Sequence, residues 1–291
     1  MSIVIFTDEP AKKGGWHGLQ LARAFADRDV EVAFVSLQDC LIDLSNNLPN
    51  IQISNLKILP RAVFVRGIAG GSLQQITTRL NILHMLKIQG VIVYNDARAI
   101  ERTVDKAMTS FLLHYAGIAT PKTWVCESRQ LAHTLINTNK NENFKMLIKP
   151  MFGSQGQGVR LIEGALPLPG DQFVDGVFYL QQFIAAKHDY RVFIINNKII
   201  AAMRRTGKGW LHNVSQGAQC ESIDDADVGN IALQAALILD IAYCGVDVIR
   251  DNSGKLLVLE VNSIPAWRGL QSVTNIDIAQ ALADNFIEKI S

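Results

Sequence analysis

The chain has 291 residues, of which 48% are hydrophobic and 19% charged, with a formal net charge of +1. That length admits two or three packed lobes, and so small a charge excludes the basic field that grips a nucleic-acid backbone. The four cysteines, Cys40, Cys126, Cys220 and Cys244, stand far apart with no C-x-x-C pair; this excludes a zinc knot and a secreted disulfide framework and fits a reducing compartment.

The N-terminal apolar run is too short for a signal peptide, and no stretch approaches ~18 uninterrupted apolar residues. A soluble, cytoplasmic protein without membrane or nucleic-acid partners is expected, with a homo-oligomer left open.

In chain order, residues 2–6 read as a buried strand, followed by a loop bearing Gly14, Gly15 and Gly18. Leu19, Ala22, Phe25 and Ala26 then recur at helical spacing, and residues 30–36 read as the next strand. Strand, helix, strand opens a doubly wound α/β lobe, continued by strands over 62–66 and 91–95 and a helix over 73–89. The glycine loop lacks G-x-G-x-x-G spacing, which argues against a dinucleotide site. Trp16 and His17 on that loop can face a substrate crevice or simply pack beneath their own helix.

A helix is predicted over 103–116, a strand after Pro121, and a second helix over 129–138. Strand-like MLIKP then delivers Lys149 to a glycine loop. The last third holds a hairpin with Asn-Asn at its turn, a helix over 226–239, the strands GVDVIR and KLLVLEVN, and a closing helix over 276–290.

Three segments carry chemistry. Gly153, Gly156 and Gly158 follow Lys149 directly, so successive backbone N–H groups can turn toward one anion beside an ammonium. This is not a Walker loop, because Lys precedes the glycines; an ordinary hairpin turn is the alternative. Glu260 and Asn262, two apart on a strand, point to one face, and Asp247 can come alongside through the hairpin. Two carboxylates and an amide oxygen suit Mg²⁺ shared with phosphates, whereas an unpaired Glu260 inside LLVLEV would be costly to bury. Arg191, Arg204 and Arg205 come from adjacent strands and can clamp a phosphate or lie solvated on a hairpin.

Taken in order, Lys106, Lys149 with GSQGQGV, DYR, MRR and LEVNSIP resemble the ATP-grasp superfamily. The branch is that of the ribosomal-protein glutamate ligase and the ligases that tail pterin and deazaflavin coenzymes with glutamate. The likeness runs over about residues 90–275 and implies an α/β and α+β protein. Residues 1–99 would form an α/β pre-ATP-grasp lobe, 100–182 a central lobe with the glycine loop, and 183–291 a C-terminal lobe with the metal ligands.

The resemblance implies that Lys106 and Lys149 reach the ATP phosphates, and that Gly153, Ser154, Gly156 and Gly158 belong to the loop closing over them. Gln181, Gln182, Phe183 and Ile184 would receive adenine, and Asp189 would hold the ribose. Arg205, Lys149 and Arg191 would serve catalysis, while Asp247, Glu260 and Asn262 would hold two Mg²⁺, with Mn²⁺ as a substitute. A small-molecule carboxylate and an amino-acid amine are the expected partners of ATP, bound near Trp16, His17, Trp210, Asn213 and Gln216. Gln216 departs from the arginine that relatives commonly carry there. The product would be a glutamate- or amino-acid-tailed coenzyme, tetrahydromethanopterin-type pterins included. The alternatives are an amino-acid ligase acting on a protein or peptide terminus and a non-catalytic nucleotide sensor.

Overall fold

The computed structural model describes residues 2–140, 144–153, 156–163, 166, 176–207, 209–210 and 217–291. The chain opens as β1 (Ser2–Phe6), α1 (Gly15–Ala26), β2 (Glu31–Val35), β3 (Cys40–Asp43), β4 (Asn50–Ile53), β5 (Ala62–Val65), α2 (Leu73–Ile88) and β6 (Ile92–Tyr94). Strands β2-β1-β5-β6 form a parallel sheet, and every residue of β5 is buried, as a continuous apolar run in a parallel sheet requires. The β3–β4 hairpin, unforeseen in the sequence, sits beside this sheet.

Where one helix was predicted over 103–116, the structure has α3 (Ala97–Val104) and α4 (Lys106–Tyr115). Asp105 causes the break: its carboxylate accepts from the amides of Ala107 and Met108 at 2.9 and 3.0 Å, capping the second helix. The cap sets Lys106 at the first position of α4.

The central lobe comprises β7 (Thr123–Cys126), α5 (Arg129–Lys140), β8 (Met146–Lys149), β9 (Arg160–Leu161) and β10 (Phe178–Gln182), with antiparallel order β7-β10-β8-β9. The last part adds β11 (Asp189–Ile195), β12 (Lys198–Thr206), β13 (Gln219–Ser222), α6 (Ala226–Leu239), β14 (Tyr243–Arg250), β15 (Leu256–Asn262), α7 (Arg268–Gln271) and α8 (Ile278–Ile290). Its sheet runs β13-β12-β11-β14-β15, all antiparallel. Asn196 and Asn197 turn the β11–β12 hairpin with φ of 45° and 59°, the left-handed pair that asparagine tolerates.

Although it ends the chain, α8 packs on α1: Phe286 lies 5.5 Å from Phe25, and Arg28 Nε donates to Asp284 at 2.7 Å. One apolar core therefore joins the first sheet, α8 and the Phe193–Tyr243 face of the last sheet. Buried Asn95 locks the same junction, donating to the carbonyls of Tyr243 and Ser263, both at 2.7 Å. Since Ser263 directly follows β15, this bond ties the first lobe to the end of the strand carrying Glu260 and Asn262.

Candidate active site

A cleft of about 850 Å³, open mouth included, lies between the central sheet and the last sheet. The two-residue period of β8 puts Leu147 and Lys149 on one face, both toward the cleft. Lys149 Nζ donates to Gln181 Oε1 at 2.6 Å, and Gln181 Nε2 donates to Thr123 Oγ1 and the Tyr179 hydroxyl at 3.0 and 3.2 Å. Ser110 on α4 holds Tyr179 in turn at 2.7 Å. Burial, reinforced by the neighbouring Lys106 charge, pulls Lys149 down to about 8; Glu260 and Asp247 oppose that shift.

Lys106 Nζ donates to the carbonyls of Met151 and Gly153 at 3.2 and 2.8 Å, so the lysine fastens the chain where it enters the glycine loop. Burial lowers this ammonium too. Gly153, Gly156 and Gly158 have φ of 143°, 71° and 72°, conformations that L side chains rarely adopt. The first two of these glycines line the cleft; Ser154 lies outside the described residues.

Gln182, Phe183 and Ile184 line the cleft. The amides of Gln182 and Phe183 are committed to the carbonyls of Lys122 and Lys145, both at 2.8 Å. Trp210 packs edge-on against Phe183 at 5.8 Å, on the same wall.

The opposite wall is charged. Arg205 forks onto Asp189 at 2.7 and 2.8 Å and reaches Asp247 at 3.1 Å, while Arg191 Nη2 meets Asp247 Oδ2 at 2.9 Å. Arg191 Nε bonds the other Asp247 oxygen. Burial alone would lower the Arg205 guanidinium and raise the Asp247 carboxyl; the mutual charges win, so Arg205 rises and Asp247 falls. Asp189, read as the ribose ligand, thus lines the cleft with both oxygens accepting from Arg205.

Glu260 stands opposite Asp247 in register, and Gly245 opposite Asn262. The two carboxyl-bearing residues pair directly across the strands, and Asn262 Nδ2 donates to Glu260 Oε1 at 2.9 Å. Among the described residues no three His, Cys, Asp or Glu cluster; the set is two facing acids and an amide, whose oxygen replaces its nitrogen on a flip. Facing carboxylates beside a phosphate-sized space call for a hard cation, so the residues fit Mg²⁺.

Sequence reading missed Thr123, Tyr179 and Ser110, which hold Gln181, and the apolar walls Leu147, Ile249 and Leu259. Leu147 was accessible from its spacing to Lys149. Leu259 was not: it faces the cleft because β15 bulges there, Asp247 pairing with Glu260 but Val248 with Val258.

Of the expected substrate residues, Asn213 and Gln216 lie outside the described residues. Trp16 and His17 sit apart from Trp210, in a cluster with Trp267. The His17 and Trp267 rings are 4.5 Å apart, those of Trp16 and Trp267 6.4 Å, and His17 Nε2 accepts from the Trp267 amide at 3.1 Å. Burial, with Arg66 and Arg268 nearby, pulls His17 down to about 3, so it is a neutral acceptor.

A nucleotide-sized cleft between two antiparallel sheets, with lysines on one wall and facing carboxylates on the other, defines an ATP-grasp enzyme. The chain belongs to the RimK-like ATP-grasp domain family, which matches residues 103–286. It is similar to tetrahydromethanopterin:alpha-L-glutamate ligase of Methanococcus maripaludis, 33% identical over 237 residues covering 77% of this chain and 78% of that one. Among solved structures it is similar to ATP-grasp ligase PsnB complexed with a phosphomimetic variant of minimal precursor, Mg and ADP. There the identity is 20% and the TM-score 0.75, over 99% of this chain and 98% of that one. Macrocyclase MdnC bound with precursor peptide MdnA, from Microcystis aeruginosa MRC, gives a TM-score of 0.70 at 14% identity, over 99% and 100%.

The protein is an ATP-dependent, ADP-forming ligase that makes a C–N bond. No helix among the described residues is long and apolar enough to cross a membrane. The expected small-molecule carboxylate and amino-acid amine are corrected: the similar solved ligases hold precursor peptides. The physical reason is in the Trp16 cluster: the ring expected beside the substrate crevice packs edge-on against His17 and Trp267.

Proposed function

We propose that the protein activates a carboxylate of a peptide or protein substrate and joins it to an amine. The observation that carries this reading is the convergence of Lys149, Arg205, Asp247 and Glu260 on one cleft, with the peptide-bound ligases of the same fold pointing to the acceptor.

Adenine lies among Phe183, Trp210, Leu147 and Ile249, with Ile184 supplying the backbone donor that the committed amides of Gln182 and Phe183 do not. Lys149 neutralises phosphate oxygens from the central lobe; Lys106, bonded to the Met151 and Gly153 carbonyls, positions the loop above them. A substrate carboxylate oxygen attacks the γ-phosphorus. The new O–P bond forms as the bridging bond breaks, and the electron pair leaves with ADP. The amine nitrogen then attacks the acyl carbon, loses a proton, and phosphate departs with the former carboxylate oxygen. Arg205, held by Asp189 and Asp247, presents fixed positive charge to the transferring phosphoryl group, and Arg191 keeps Asp247 ionised and oriented. Asp247, Glu260 and Asn262 would hold two Mg²⁺, with Mn²⁺ as a substitute, supplying charge neutralisation on the phosphates.

The reading is tested by Mg²⁺-ATP-dependent ADP release with a panel of acidic and neutral peptides against small acids. Release stimulated by peptides and not by small acids supports it; stimulation by small acids alone overturns it.

A further inference from the structure

The first sheet has its topological switch between β1 and β5, where connections leave in opposite directions and ligands of α/β sheets collect at the carboxyl ends. Arg66 follows β5 at that point. The only hydrogen bond of its side chain among the described residues is a long one, Nη1 to the Ile264 carbonyl at 3.5 Å, and its buried Nε has no partner. The guanidinium lies 5.0 Å over the Trp267 ring, and among the described residues no carboxylate forms an ion pair with it; Asp8 acts on it only through its charge. Arg268, the first residue of α7 and next to Trp267, is exposed and lies 5.8 Å over Trp16, without an ion pair among the described residues.

A half-buried guanidinium that makes one marginal bond is an unsatisfied fork, and such forks match carboxylates. Its position links it to the chemistry. Ile264, which it touches, stands two residues beyond Asn262, and Pro265 abuts Gly245, against which Arg191 also lies. The segment 263–267 thus runs from the metal-ligand strand to the arginines. Burial pulls the Arg66 guanidinium down despite Tyr243 and Asp8, as expected of a cation still lacking its counter-ion.

We propose that Arg66 and Arg268 form a subsite for a second carboxylate of the substrate, one that is bound and not activated, beside the reacting end of the cleft. The inference rests on the ligase reading above and adds that the enzyme selects substrates carrying two acidic groups. The second carboxylate belongs to the acidic peptide itself.

Trp267 beneath Arg66 is a built-in reporter. Its indole N–H resonance, assigned with Trp267→Phe, is followed in the Mg²⁺-ADP complex during titration with N-acetyl-tetraglutamate, its tetraglutamine counterpart and free glutamate. ADP release from Mg²⁺-ATP with the same compounds is measured in parallel. The subsite predicts a shift with tetraglutamate and none with tetraglutamine; a shift with glutamate alone, and none with tetraglutamate, overturns it. Affinity falls about tenfold or more in Arg66→Gln and in the exposed Arg268→Gln, with partial recovery in Arg66→Lys. A Trp267 resonance unmoved by both acidic compounds while ADP is released overturns the subsite and leaves the ligase standing. A shift without ADP release supports the subsite and removes the peptide-ligase reading instead. Unchanged affinity in folded Arg268→Gln and Arg66→Gln also overturns it.

Discussion

Asp247 and Glu260 face each other directly across the β14–β15 pair, and the register slips by one residue just beyond them. The pairing makes one carboxylate set from two strands, and the slip brings Leu259 to the same cleft. Replacing Glu260 by Gln keeps its shape and the bond from Asn262 while removing the charge. Glu260→Gln is expected to stay folded and lose Mg²⁺-dependent ADP formation by about a hundredfold or more. Steady-state assays across a Mg²⁺ titration check this, and undiminished turnover would contradict the metal assignment.

Gly245 is the contact point of Arg191. A Cβ there would meet Arg191 Nη1 at 2.7 Å and Pro265 Cβ at 2.9 Å. Gly245→Ala should therefore displace Arg191 from Asp247 and lower kcat by about 10- to 100-fold, the scale of a misplacement near 1 Å. ADP affinity, measured separately by calorimetry, should change little. An alanine variant with wild-type kcat would show that Arg191 need not be held there.

Much of this site is written locally and some of it is not. The alternation that puts Glu260 and Asn262 on one face, the glycines after Lys149 and the Asn196–Asn197 turn depend on near neighbours, and each is readable from spacing. The break at Asp105 was missed because the apolar pattern runs through it and only the cap reveals it. The bulge at Leu259 depends on how a second strand pairs. The seat of α8 on α1 comes from residues more than 250 apart in sequence, and the meeting of Arg66 with Trp267 from residues some 200 apart; no local period encodes them. Trp16 was ambiguous for the same reason, since the ring that covers it lies at the far end of the chain.

Lys149 gives the nucleotide site a pH dependence. Its folded-state value, about 8 against 10.5, is lowered first by burial. Below about pH 8 the ammonium is already charged, and nucleotide binds without taking up a proton. Above it, phosphate must bind the neutral amine or recharge it, so ADP affinity should fall and binding should take up a proton from buffer. Calorimetry in buffers of different ionisation enthalpy reads that proton directly. Lys149→Gln should bind weakly at every pH with no uptake; proton uptake identical in that variant would assign the titration to another group.

The two tryptophans separate packing from binding. Trp16 packs on the core joining the first and last lobes, so Trp16→Ala should lower unfolding stability by about 2–3 kcal/mol, toward the low end for aromatic truncation because the ring is only partly buried. Trp210 is 38% exposed and lines the cleft beside Phe183. Trp210→Ala should instead weaken ADP binding by roughly 1 kcal/mol with stability nearly unchanged. Denaturant melts and ADP titrations on both variants check the pair, and the reverse pattern would exchange their roles.

The central claim is that a peptide carboxylate is phosphorylated before the amine attacks, and isotope transfer tests it most directly. An acidic peptide that stimulates ADP release is labelled with ¹⁸O in its carboxylates and turned over with Mg²⁺-ATP and an amine, and the released phosphate is analysed by mass spectrometry. Attack by the carboxylate predicts one ¹⁸O atom in each phosphate, matched by one amide formed per ADP. Phosphate free of ¹⁸O, or ADP formed at the same rate without peptide, would contradict the account.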